Sequence, residues 1–375
     1  MKIIVAPDKF KGSLSSMQAC KAIEAGIHKV VSSAEVLLFP MADGGDGFDE
    51  VIQYYLQTQT VDCNTMDPLM RPLHATYQIN AVNKTAIIAL SAASGLVLLN
   101  NKERNPLHTT TYGTGLMIKH AIEQGAEKII LGLGGSATND AGMGILAALG
   151  FRLLDNNGDA LGPIGQNLPG IVRIIPPPKL PYVSFQIACD VENVLFGNDG
   201  AAFVYASQKG ASKDEIDILD KGLEHISKII SQQTVRQIAM IPGAGAAGGV
   251  AAGLMAYFDC EIIPGAKLVI EVSNILGEIN STSLLITGEG KLDAQSSKGK
   301  VVQHISKLGK KNHIPVMALC GIVEASPSQI NEWDLWGAYQ IMDDGISQRH
   351  AIDNAGTLLT QLSQTAMELF LRSDG

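Results

Sequence analysis

The residues best suited to chemistry lie in short loops that follow apolar runs. LGLGGSATNDAGMG, Leu131 to Gly144, follows KIIL at Lys128–Leu131 and leads back into the helical-looking ILAALGF. Glycines let successive backbone N–H groups turn toward one point, and Ser136 and Thr138 add hydroxyls. Gly134, Gly135, Ser136, Ala137 and Thr138 therefore form a candidate anion nest ahead of a helix. No Gly-Lys-Ser/Thr occurs in the chain, so this is not the P-loop sequence. Three acidic loops accompany the nest: ADGGDG with Asp43 and Asp46, ACDVEN with Asp190 and Glu192, and TGEGKLDAQSSKGK with Glu289 and Asp293 beside Lys291, Lys298 and Lys300. Each follows an expected strand, where open α/β sheets place ligands. Carboxylates beside an anion nest suit the binding of Mg²⁺ or the removal of a proton from a substrate hydroxyl. A single Asp in such a loop equally suits a turn or a helix cap; three such loops together favour chemistry. Lys9, Lys11, Arg71 and Arg104 are the cations suited to hold a carboxylate or neutralise a phosphoryl group, the alternative being ordinary solvated surface charge.

Other motifs narrow the classes. Gly243-Ala-Gly245-Ala-Ala-Gly248 is a formal GxGxxG, but Pro242 stands directly before it and Asp259 is expected to end a helix, whereas a dinucleotide site needs a strand on each side. Tight helix packing and a backbone loop lining a site are the other readings of these small residues. Neither HExxH nor GxSxG is present, which argues against a zinc protease and a serine hydrolase. The five cysteines are widely separated, with no CxxC, so neither a disulfide framework nor a zinc site is expected.

These loops need elements to hold them. A first strand is expected at Met1–Ala6, a helix over 13–30 capped by Ser13 or Ser15, a strand at Val36–Pro40 and a helix at 49–57, the alternation of a parallel α/β layer. ATYQINAV and KTAIIALSAAS read as a hairpin around Asn83. Then come a helix at 113–124, a strand at 128–132, the glycine loop, a helix at 140–150, a strand at VSFQIACD, an irregular Pro-rich 155–182, and helices at 213–231 and 248–258. The end of the chain returns to strand (SLLITGEG), helix (KGKVVQHISKLGK) and strand (IPVMALCG). No internal repeat is seen.

With 375 residues, 46% of them hydrophobic, the chain has ample material for two cores. The net charge of −9 and the lack of a dense Lys/Arg cluster argue against nucleic acid as a partner. No apolar run reaches about 18 residues, so a membrane span is not expected either, and a cytoplasmic protein follows.

Eight blocks resemble the type-1 glycerate kinase family, in the family's order and across nearly the whole chain: APDKFKGSLS (6–15), PMADGGDG (40–47), RNPLHTTTYGTG (104–115), GLGGSATNDAGMG (132–144), ACDVEN (188–193), GAAFVYASQKGA (200–211), PGAGAAGG (242–249) and TGEGKLDAQSSKGK (287–300). The resemblance implies ATP-dependent, Mg²⁺-assisted phosphorylation of D-glycerate, with 2-phosphoglycerate favoured over 3-phosphoglycerate. It also implies two α/β domains with the site in the cleft between them. The expected architecture is a discontinuous, Rossmann- or flavodoxin-like domain with a parallel sheet (1–62 and 261–375) and an inserted mixed α/β domain (63–260). Gly134–Thr138, helped by Gly288 and Gly290, would hold nucleotide phosphates. Asp190 and Asp293 would bind Mg²⁺ or act as base, Lys9 and Lys11 would serve catalysis, and Ser13, Arg71 and Asp43 would face the substrate. A monomer or homodimer acting on a small molecule is expected. The chain departs from the family pattern at NVLFGND and at Ala206-Ser207, where prolines are missing, which predicts a less rigid 194–210. The alternatives are a kinase of another small hydroxy acid, an NAD-dependent oxidoreductase using Gly243–Gly248, and a non-catalytic sensor.

Overall fold

The computed structural model describes residues 1–43, 47–293, 300–343 and 345–373. The chain divides into two compact units, Met1–Tyr55 with Pro264–Gly375, and Leu56–Ile263. Both are α/β. The strands of their main sheets are β1 (Lys2–Val5), β2 (Glu35–Leu38), β3 (Gln59–Met66), β4 (Pro72–Asn80), β5 (Thr85–Ala89), β6 (Lys128–Gly132), β7 (Ser184–Ala188), β8 (Asp259–Ile263), β9 (Thr282–Thr287), β10 (Val316–Cys320) and β11 (Gly337–Gln340).

The first unit is a five-stranded, all-parallel sheet in the order β2-β1-β9-β10-β11. Helices on both faces demand strands that are apolar throughout, and β10, VMALC, is buried at every position. The helix Ser16–Val30 starts with a capping box, in which Ser15 Oγ accepts from the Gln18 amide and Gln18 Oε1 accepts from the Ser15 amide. Of the two expected caps, Ser15 is the one used. Its buried stripe, Ala19, Cys20, Ile23, Gly26 and Ile27, packs with Leu359, Met367 and Phe370 of the C-terminal helix Ala355–Ser373 over Ile3, Val5, Leu284 and Ile286. Gly26 permits that approach, because a Cβ there would lie 2.4 Å from Thr360 O. After β1 the chain builds β2 on one side and, on its return, β9 on the other. The β1/β9 boundary is thus the switch point of the sheet, where loops diverge and leave a crevice.

The second unit holds a six-stranded mixed sheet in the order β8-β7-β6-β5-β4-β3, parallel from β8 to β5 and antiparallel from β5 to β3. The expected hairpin is β4–β5. The expected domain boundary at 62/63 falls inside β3, which pairs with β4 from Gln59 to Met66, and the one at 260/261 falls inside β8, which pairs with β7. The second compact unit runs from Leu56 to Ile263. The Pro-rich 155–182 is less irregular than expected: Arg152–Leu154 pairs antiparallel with Arg173–Ile175. In the proline-poor 194–210, a π-helical turn at Ala202–Ala206 runs into a 3₁₀ turn at Ser207–Lys209. Among the described residues no helix is long and apolar enough to cross a membrane.

Candidate active site

In the first unit, the loops after β1, β2 and β9 collect the expected residues. β1 and β9 run in register to Val5 opposite Ile286, and Thr287 Oγ1 donates to Ala6 O at 3.0 Å, locking the two exits together. The Asp8 amide then donates to Gly288 O at 2.8 Å. Gly288 is a packing requirement, since a Cβ there would lie 2.0 Å from Leu319 O. Gly290 accepts from the Ile322 amide and passes close to the Lys11 backbone. Lys11, Ser13 and Gly290 share an open recess with Phe10, Gly321 and Ile341. Asp293 stands 3.8 Å from Lys291 Nζ, which is closer, at 3.0 Å, to Glu324. Asp46 and Lys298 lie outside the described residues.

The residue that stands out here is Asp8. It is buried, its Oδ1 accepts from the Lys9 amide at 2.6 Å, and it lines a second recess with Lys9, Ser15 and Gly47. Burial first, then the charges of Asp43 and Glu289, push its carboxyl up to about 7, against the opposing pull of the Lys9 amide and ammonium. Glu289 is also buried and carries a countercharge, Lys300 Nζ at 3.2 Å. Asp8 was not among the expected site residues, although it satisfies the rule that selected Asp43, Asp190 and Asp293: an acid just past a strand.

In the second unit, β5, β6 and β7 end together, with Ala89 and Ala188 both opposite Gly132. The glycine loop and the ACDVEN loop therefore leave the same sheet edge side by side, and Asp190 is exposed there. The nest is narrower than expected. The Ala137 amide donates to Ser94 O, whereas the amides of Gly134, Gly135 and Ser136 donate to no backbone carbonyl among the described residues. Gly135 supplies the turn with φ +70. The helix that follows, Met143–Ala148, does not point its N-terminus at a ligand. Asp140 occupies it, with Oδ1 accepting from the Gly142 amide and Oδ2 from the amides of Gly144 and Thr111 and from Thr111 Oγ1. Thr138 is fully buried, and its carbonyl accepts from Lys209 Nζ at 2.8 Å. Burial pulls the Lys209 ammonium down to about 7, and the charge of Asp140 resists that pull.

The Gly243–Gly248 segment is explained by this packing. Turns and no strand precede it, and Ala247, Gly248 and Gly249 all have positive φ. A Cβ on Gly248 would lie 2.2 Å from Thr138 O and 2.5 Å from Asn139 Cα. The acid expected to end a helix, Asp259, instead begins β8. The segment is thus a close-packing loop seated on the glycine loop and lacks the strand–turn–helix setting of a dinucleotide site. Arg71 is engaged on both sides, with Nε 2.5 Å from Asp67 and Nη1 2.7 Å from Glu103, so its guanidinium is matched by carboxylates of its own unit.

Comparison with known proteins bears on what these groups do. The family model described as "Glycerate kinase family" matches residues 3–371. A protein named glycerate kinase from Halalkalibacterium halodurans is 40% identical over 96% of this chain and 96% of its own length. One named glycerate 2-kinase from Escherichia coli (strain K12) is 38% identical over 96% of this chain and 91% of its own. A crystal structure assigned as glycerate kinase 2 from Salmonella typhimurium LT2 superposes with a TM-score of 0.88 at 32% identity, covering 100% of this chain and 99% of that one.

Proposed function

The chain belongs to the glycerate kinase family, and on that premise we propose that it transfers the terminal phosphoryl group of ATP to the 2-hydroxyl of D-glycerate. The observation that carries the chemical reading is Asp8, a buried carboxyl at the switch point whose proton affinity is tuned to neutrality. Phosphoryl transfer to an alcohol needs a base for the hydroxyl proton, and a base works best when its pKa lies near the working pH. Asp8 takes that proton. Lys9, beside it, and Lys11, with Ser13 in the neighbouring recess, hold the acceptor and offset charge on the phosphoryl oxygens. Asp43 keeps Asp8 basic by its charge. The amides of Gly134, Gly135 and Ser136 suit the phosphates of the nucleotide.

Among the described residues no three His, Cys, Asp or Glu side chains group as a metal cage. Mg²⁺ keeps several waters and binds through one or two carboxylates plus substrate phosphates. Asp190 in the second unit and Asp293 in the first are each carboxylates suited to it. Mg²⁺ bound at either would neutralise phosphate oxygens.

The test is ADP release from Mg-ATP with and without D-glycerate, with the product identified by phosphorus NMR. ADP release with 2-phosphoglycerate is expected. A 3-phosphoglycerate signal would overturn the regiochemistry, and no ADP above the glycerate-free control would overturn the reaction itself.

A further inference from the structure

Beneath the lip of the glycine loop, the second unit buries polar groups that its own packing leaves unanswered. Thr138 and Asn139 are 0% exposed, yet Thr138 Oγ1 and both amide atoms of Asn139 have no hydrogen-bond partner among the described residues. Lys209, 3% exposed, donates to Thr138 O at 2.8 Å, one bond where its ammonium has three protons. The nearby anion, Asp140, is already saturated by Thr110, Thr111 and the amides of Gly142 and Gly144. Arg104 packs its backbone against Gly210, next to Lys209, and its Nε is buried and also without a partner among the described residues.

Leaving this many buried polar atoms unpaired is costly, because each has lost its water without gaining a partner. A cluster serving packing alone would close on itself, whereas these donors and acceptors do not pair with one another. Their chemistry describes the ligand that would complete them. Two cations and a hydroxyl call for an oxyanion, and Asn139 adds both a donor and an acceptor. Fully ionised phosphate presents only acceptors and would leave Asn139 Oδ1 unanswered. A carboxylate with a neighbouring hydroxyl answers all of them.

We propose that Thr138, Asn139 and Lys209, with Arg104 beside them, form the recognition site for the carboxylate and an adjacent hydroxyl of a small hydroxy acid. This deepens the phosphotransfer reading and rests on it only for the identity of the acid. The 243–249 loop, seated on Thr138 and Asn139 through Gly248, holds the site in shape.

The test is calorimetric titration of the full chain with D-glycerate and, separately, with ADP, for the native protein, Thr138→Val and Lys209→Met. Thr138→Val preserves side-chain shape and Lys209→Met preserves much of the stem while removing the charge; circular dichroism and urea unfolding establish which variants are folded before titration. D-glycerate affinity is expected to fall about ten- to a hundredfold in both, as for the loss of a charge-assisted hydrogen bond, with ADP affinity unchanged. Unchanged D-glycerate affinity in both variants would overturn the proposal. So would weakened ADP binding with glycerate binding retained, which would make the cluster a phosphate subsite. Native turnover with unaffected variant binding would sink the cluster alone. Weakened variant binding with no ADP release by the native protein would sink the phosphotransfer reading alone.

Discussion

Replacing Asp8 by Asn separates catalysis from stability, because the two should move in opposite directions. Asn keeps an oxygen to accept the Lys9 amide and removes the charge that burial, Asp43 and Glu289 disfavour. In the folded protein the Asp8 carboxyl titrates at about 7, against 3.8 for the ordinary group. Between those values the folded state holds a proton that the unfolded chain has released, so native stability falls as pH rises through this window. The gap of about three units corresponds to roughly 4 kcal/mol at ~1.4 kcal/mol per unit, reached above about pH 8. The variant lacks this loss. Urea unfolding of both proteins from pH 5 to pH 8.5 should show Asp8→Asn increasingly the more stable, by up to about 4 kcal/mol at the alkaline end. ADP release should meanwhile fall by about 10²–10⁴, and the native rise of kcat/KM with pH through about 7 should vanish. A stability difference that stays flat with pH would refute the buried, charge-crowded state of Asp8. Near-native turnover would refute its role as base.

The neighbours of Asp8 should tune it in a set order. Asp43 raises it more than Glu289 does, so in a kcat/KM pH profile Asp43→Asn should move the acidic limb down further than Glu289→Gln; the reverse order would contradict the electrostatics. Asp140→Ala would strand the Thr111, Gly142 and Gly144 amides in the core and leave Lys209 without its countercharge; a stability loss of about 3–5 kcal/mol is expected by urea unfolding. Gly248→Ala meets both positive φ and a Cβ 2.2 Å from Thr138 O. It should lower the melting temperature and raise KM for D-glycerate together, and a native-like variant would mean the loop is not fixed on Thr138. Arg71→Met should change KM for D-glycerate less than Lys209→Met does, because Asp67 and Glu103 already hold its guanidinium.

Much of this molecule was legible in the chain because its signals are local. A fully buried parallel stretch must be apolar, so β10 and β1 beyond Lys2 announce themselves, and a Ser-x-x-Gln capping box marks where the first helix begins. Glycine-rich and acidic loops after such strands mark the sheet edge to which we assign the chemistry, and the ordered motif blocks identify the family. The polar strand β3 was missed because only Cys63 and Thr65 on it are buried, which leaves too weak an alternation to read.

What depends on distance in sequence could not be read from it. By itself the sequence determined the α/β elements, the loops that matter and the family. Tertiary structure decided each loop residue's burial and partners. Asp140 and Thr138 are two residues apart in one motif, yet the fold saturates Asp140 with donors from two segments and leaves Thr138 Oγ1 with none among the described residues. Asp8 and Lys209 look like ordinary charged loop residues until folding strips their water, sets Asp43 and Glu289 near one and Asp140 near the other, and brings both to about 7. Proton affinity and hydrogen-bond completeness are set by burial and by neighbours tens to hundreds of residues away, and those exist only once the chain has folded.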